Sequence, residues 1–234
     1  MAARSLILVP PSEGKALGGD GPPWAPGTMA VAELDGARRE VLAALGRSHP
    51  ARTEPTCAAI ERYTGVLYRE LDAASLRGTA RSRLRRDVRI VSGLWGLVAP
   101  ADPIPDYRLK MSARVEPLGR LSTWWRPRLT AALAPRVRGA VVWDLLPNEH
   151  AAAVDWTELT PRRRVTVRFV DRDDRTVSHW NKLLKGSLVR WLAETGSRDP
   201  FELADLDHPQ GYRLDPGATV DDGTTVALVL RAPG

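Results

Sequence analysis

Hydrophobic positions along this chain follow two spacings, and the switch from one to the other marks its elements. Unbroken apolar runs at residues 6–9 and 139–146 predict buried strands, residues 164–170 predict a strand by alternation, and 224–230 predict a terminal one. Helix-spaced apolar positions at 31–45 predict an amphipathic helix. A second helix is expected over 56–63, closed by Tyr63-Thr-Gly65 with Gly65 as a left-handed cap, and another over 66–71. A helix opening near Trp124 is expected to end at Ala134-Pro135, and residues 177–194 read as a strand followed by a helix. Glycine and proline at 18–26, the prolines 100, 103 and 105, and the charged stretch 171–175 mark loops. The fold expected is α+β: one domain over residues 1–234, with a mixed β-sheet flanked by helices.

Strand exits carry the candidate chemistry. Pro10-Pro11 cannot donate to a sheet ladder, so the first strand stops there and hands the chain to Ser12, Glu13, Gly14 and Lys15. The run 139–146 leaves in the same way, into Pro147-Asn148-Glu149-His150, where the plainer account is a helix N-cap at Asn148. Between them, Ser92, Gly93 and Gly96 form a hairpin whose small residues admit either a ligand or a tight core crossing; the pattern is similar to the hairpin of helix-hairpin-helix DNA-binding units. The proline-rich loop then presents Tyr107, Arg108 and Lys110. Farther on, Asn181, Lys182 and Lys185 open a helix with both lysines on one face, either at an anion or simply in solvent.

Length and composition set the outer limits. A chain of 234 residues, 43% hydrophobic, can bury a full-sized core. The single cysteine, Cys57, excludes an internal disulfide and suits a reducing cytoplasm; no apolar run is long enough to cross a bilayer. A formal charge of +6 and a pI near 10.0 favour polyanions without conferring specificity, and the dominance of arginine over lysine also fits an arginine-rich genome. Histidine, cysteine and carboxylate spacings match no metal motif, and no glycine-rich nucleotide loop is present, so neither metal nor cofactor is expected.

Taken in order, Leu8-Val-Pro-Pro-Ser-Glu-Gly-Lys15, Tyr63-Thr-Gly65, Val91-Ser-Gly-Leu-Trp-Gly96, Pro105-Asp-Tyr-Arg-Leu-Lys-Met111, Trp125, Ser178-His-Trp-Asn-Lys182 with Lys185-Gly186, and Gly211-Tyr212 resemble the blocks of the YaaA family of peroxide stress proteins. The resemblance spans nearly the whole chain. It implies a mixed sheet with a helix-hairpin-helix-like element and a basic cleft, in cytoplasmic proteins that bind double-stranded DNA non-specifically and protect against hydrogen peroxide. One departure stands out: where the family pattern places a small polar pair and then an aromatic, this chain has Asn148, Glu149 and His150.

Two functions are therefore expected of these residues. In the first, Ser12, Tyr63, Ser92, Gly93, Gly96, Tyr107, Arg108, Lys110, Asn181, Lys182 and Lys185 grip the phosphates of DNA. In the second, an enzyme acts on a small anionic or nucleobase-like substrate, with Glu13, Lys15, Glu149 and His150 as its catalytic set and Glu13 or Glu149 as the acid-base group. A carboxylate repels phosphate, a point for the enzyme, although Glu13 and Lys15 pairing with each other explains the same residues; DNA binding in the oxidative stress response is the leading expectation and the enzyme the alternative.

Overall fold

The structure, a computed structural model, describes residues 4–176, 180–206, 208 and 210–233. Its centre is one mixed sheet of eight strands: β1 (Ser5–Val9), β2 (Val88–Ser92), β3 (Gly96–Val98), β4 (Val141–Asp144), β5 (Arg163–Val170), β6 (Arg213–Leu214), β7 (Val220–Asp221) and β8 (Thr225–Arg231). Across the sheet the order is β6, β8, β5, β4, β1, β2, β3, with β7 also on β8. The five middle strands run parallel, while β3, β6 and β7 are antiparallel additions at the edges.

Why the unbroken runs lie at the centre follows from burial on both faces. Leu6, Ile7, Leu8 and Val9 of β1 and all four residues of β4 are buried, as a parallel strand covered by helices on each side requires. Longer and polar on one side, β5 alternates. Register then fixes the functional edge: Val9 of β1 stands beside Ile90 of β2, and Leu8 stands beside Asp144 of β4, so three strands end together at their carboxyl termini. In open sheets of parallel strands this edge is the usual place for a site.

Seven α-helices surround the sheet: α1 (Asp35–Ala44), α2 (Ala59–Arg62), α3 (Val66–Leu71), α4 (Gly78–Asp87), α5 (Leu121–Val137), α6 (Asn148–Ala151) and α7 (Trp180–Thr195). Helix α7 lies against α3 so closely that a Cβ on Gly186 would come within 2.4 Å of the Leu67 carbonyl oxygen. Glu70 accepts from the Ser187 hydroxyl at 2.7 Å across the same contact.

Several expectations are corrected. The helix expected over 56–63 is split, because the Asp102 and Pro100 carbonyls capture the Ala59 and Ile60 amides (2.8 and 2.9 Å). Cys57–Ala58 instead pairs with Pro103–Ile104 as a two-residue ladder inside a stretch read as loop. Gly65 is extended (φ −66°, ψ 171°), not left-handed; it caps the start of α3, and glycine is needed because a Cβ would lie 2.7 Å from that of Ser12. The left-handed residue is Asp72, at the other end of α3. Helix α5 begins before Trp124 and runs through Pro127 and Pro135, held by Trp125, Leu129 and Leu133, all fully buried. Asn148 is the first residue of α6 and not its cap. The Ser92–Gly96 turn joins strands β2 and β3, not two helices, and its Leu94 and Trp95 amides donate inward to Ser92 Oγ. The strand expected just before α7, with Ser178 and His179, lies outside the described residues.

Candidate functional site at the carboxyl edge of the sheet

Leaving β1, the chain is bent back by a short antiparallel pairing in which Lys15 faces Tyr63. Thr64 N donates to Gly14 O at 3.0 Å and Ala16 N to Arg62 O at 2.8 Å. This pairing sets the Ser12–Lys15 turn against the α2–α3 junction, where Gly65 N donates to Ser12 Oγ at 2.9 Å. Tyr68 on α3 ties the same corner down, its hydroxyl donating to Pro10 O at 2.7 Å. Beneath the corner Arg62 is fully buried and donates to the carbonyls of Ala16, Gly18, Pro55 and Ile104. Sequence patterning gave no signal for Arg62, since a buried guanidinium paired only with carbonyls reads like any surface arginine.

Lys15 is half-buried. Its ammonium lies 4.4 Å from the Tyr107 ring centroid and 5.7 Å from that of Tyr63, and donates to Ser12 O at 2.9 Å and Glu13 O at 3.4 Å. Loss of water around it lowers its pKa from the ordinary lysine range. Under it, three buried hydroxyls meet: Tyr63 to Tyr107 at 2.7 Å, and Tyr107 to Ser92 at 2.7 Å. Burial pushes both phenols up, Tyr107 to about 12.

The carboxylates stand farther out than the sequence suggested. Glu13 is 78% exposed at its side chain and pairs with Lys110 at 2.9 Å, not with Lys15. That hydrogen bond holds the Glu13 carboxyl below the usual range, with the Lys110, Lys182 and Lys15 charges adding to it. An exposed carboxylate committed to an ion pair with Lys110 is poorly placed to act as a base. Glu149, also exposed, accepts from Ser112 Oγ at 2.9 Å, and its other oxygen lies 3.5 Å from Nδ1 of His150. His150 is buried, which lowers its pKa and keeps it neutral, and its Nδ1 has no hydrogen-bond partner among the described residues. Arg108 is exposed close enough to Lys15 to act on its charge.

From the other side α7 supplies Lys182, exposed and within electrostatic reach of Glu13, and Lys185, which donates to Leu145 O at 2.9 Å just past the end of β4. Asn181 is half-buried in the first turn, its Oδ1 without a partner among the described residues. Gly93 and Gly96 serve packing. A Cβ on Gly93 would press the Lys110–Met111 backbone at 2.9 Å, and one on Gly96 would meet the Trp125 ring at 2.7 Å. Among the described residues no three His, Cys, Asp or Glu side chains gather as a metal set, and no helix is long and apolar enough to cross a membrane.

One regularity emerges only in three dimensions. Lys15, Lys110, Lys182 and Lys185 are all the lysines of a chain with 34 Lys and Arg together, and all four stand at this one edge. Arginine carries the positive charge everywhere else.

Fold and site together define the class: a parallel-centred sheet between helices, with a lysine-tyrosine cluster where β1, β2 and β4 end. The chain belongs to the family of the peroxide stress protein YaaA, which it matches over residues 31–218. It is 36% identical to a UPF0246 protein of Streptomyces coelicolor over 95% of this chain and 96% of that one. It is 34% identical to a UPF0246 protein of Corynebacterium glutamicum (80% and 84% covered) and 33% identical to one of Laribacter hongkongensis (73% and 68%).

Proposed function

We propose that this member of a peroxide stress family binds and acts on a small anionic or nucleobase-like ligand at the carboxyl edge of its sheet, in the cytoplasm. The convergence of every lysine on that edge carries the reading. An ammonium is a compact, strongly hydrated charge with three donors that can be desolvated, and arginine does not replace it where an anion must be held in a narrow place. Lys15 and Lys185 bind and stabilise, Lys110 and Lys182 with Arg108 attract, and Glu149 beside His150 takes the acid-base role, since Glu13 is committed to its ion pair with Lys110.

A ligand screen by thermal shift over nucleotides, nucleobases and small carboxylates tests this. A binder that raises the melting temperature of the wild type and not of Lys15→Met supports the proposal. Wild-type protein indifferent to every anion in the screen counts against it. Loss of turnover with retained binding in Glu149→Gln places the acid-base role there.

A second reading, a grip on DNA phosphates in a basic cleft during peroxide stress, draws on the exposed Arg77, Arg81, Arg85 and Arg86 around α4 and on Lys110 and Lys182. It predicts a gel shift at low ionic strength that disappears steeply with salt and depends little on sequence. The first reading is preferred because Tyr63, Tyr107 and Ser92 are almost wholly buried, a place that a small anion enters more readily than a bulky duplex backbone does.

A further inference from the structure

Ser92, Tyr107 and Tyr63 carry three hydroxyl hydrogens but make only two contacts with one another. Ser92 Oγ already accepts from two backbone amides, Leu94 N at 3.2 Å and Trp95 N at 3.0 Å, which occupy both its lone pairs. It therefore donates to Tyr107. Whichever way the Tyr63–Tyr107 bond then points, one phenol hydrogen remains without an acceptor among the described residues. Tyr63 is 2% exposed and Tyr107 is 4% exposed, so bulk water serves it poorly. A buried donor left unpaired forfeits its hydration without return, which makes this position a built demand for an acceptor atom.

The Lys15 ammonium beside it has the same surplus. Two of its three hydrogens go to the Ser12 and Glu13 carbonyls, the ammonium lies over the Tyr107 ring at 4.4 Å from its centroid, and the third hydrogen has no hydrogen-bond acceptor among the described residues. We infer that the uncommitted hydrogen of the Tyr63–Tyr107 pair and the third hydrogen of Lys15 together hold one oxyanion of a small ligand. This deepens the anion-binding reading above and rests on it.

The chemistry selects the ligand class. Two donors of different type, a neutral phenol and an ammonium, suit a carboxylate, phosphate or enolate oxygen and leave a neutral amide nitrogen or a hydrocarbon unrewarded. Both phenols keep their hydrogens at neutral pH, because burial opposes their ionisation. The carbonyls of Ser12 and Glu13 hold the ammonium in place, so the donors are set before the ligand arrives.

Azide, formate and inorganic phosphate serve as probes, with binding read by calorimetry and the azide infrared stretch reading hydrogen-bond donation. Wild type is expected to bind at least azide and to shift its band from the position in water. The double variant Tyr63→Phe/Tyr107→Phe, which removes both phenol hydrogens, is expected to weaken binding by at least ~10-fold and to return the band towards its solution position. Should the double variant fail to fold, as judged by near-ultraviolet circular dichroism, each single Phe variant is measured in its place, and a partial band return in at least one is required. Lys15-dependent binding with affinity and band unchanged in the Phe variants overturns the hydroxyl assignment and leaves the anion site standing. No Lys15-dependent binding of any probe overturns both.

Discussion

At the scale of single residues, this protein separates arginines that hold the fold from lysines that face its edge. Arg62 donates to four backbone carbonyls in the corner beneath Lys15, and its removal opens a fully buried site and leaves the buried Ile104 carbonyl and its part-buried neighbours without that donor. Arg62→Met is expected to cost about 3 kcal/mol or more, measured by urea unfolding, while Arg85→Met on the exposed face of α4 stays within about 0.5 kcal/mol. Lys15→Arg keeps the charge but brings a planar fork to a place shaped by two carbonyls and the Tyr107 ring. Affinity for a small anion is expected to fall by ~10-fold or more in that variant, and an unchanged titration contradicts the argument from lysine placement. Of these residues the sequence pointed to Lys15, Tyr63, Ser92 and Tyr107 because they follow strands or sit beside glycine and proline. Arg62 and Tyr68 escaped it, because no local pattern separates a buried arginine or tyrosine from an exposed one.

At the scale of elements, two contacts between backbones decide where the site residues stand. Gly65 admits Ser12 against the start of α3, and Gly186 admits α7 against the carbonyl of Leu67. Gly186→Ala forces the helices apart and is expected to lower stability by about 1–3 kcal/mol and to weaken anion binding by moving Lys182 and Lys185. The control is Gly36→Ala within α1, where nothing lies within 4 Å of the added Cβ and a gain of about 0.5–1 kcal/mol is expected. Equal losses in the two variants would show that close packing is not the reason for Gly186. Four strands were read from the pattern: residues 6–9, 139–146, 164–170 and 224–230 match Ser5–Val9, Val141–Asp144, Arg163–Val170 and Thr225–Arg231 to within two residues at each end, while β2, β3, β6 and β7 were not read as strands. Helix ends were read less well, since the 59–60 amides are taken by a loop forty residues away and α5 continues through two prolines once its tryptophan and leucines are buried.

For the whole molecule, pH and salt act through groups that folding buries. His49, His150 and His208 all have pKa values lowered by burial, so the folded protein keeps them neutral while the unfolded chain protonates them near ~6.5. Their contribution to stability is complete above that value and is lost as pH falls through it. Urea midpoints measured between about pH 7.5 and pH 5.5 are expected to drop, and to drop less in His150→Gln. A midpoint that is flat or rises towards pH 5.5 refutes this assignment. Glu13 runs in the same direction at lower pH: its carboxyl is held low by Lys110, on the surface, so that pair is lost only in stronger acid and is screened by salt.

The sequence alone determined four of the sheet's eight strands, the exits of two of them and the family, because apolar runs, proline stops and ordered motifs are local properties that survive without neighbours. Tertiary structure decided which exits meet. Parallel pairing of β1 with β2 and β4 brings Ser12, Ser92 and Glu149 to one edge, and the packing of α7 on α3 carries two distant lysines to it. It also decided protonation and partnership, moving Glu13 into solvent and three hydroxyls out of it. Those depend on distance and on the exclusion of water, and neither is written in the order of residues.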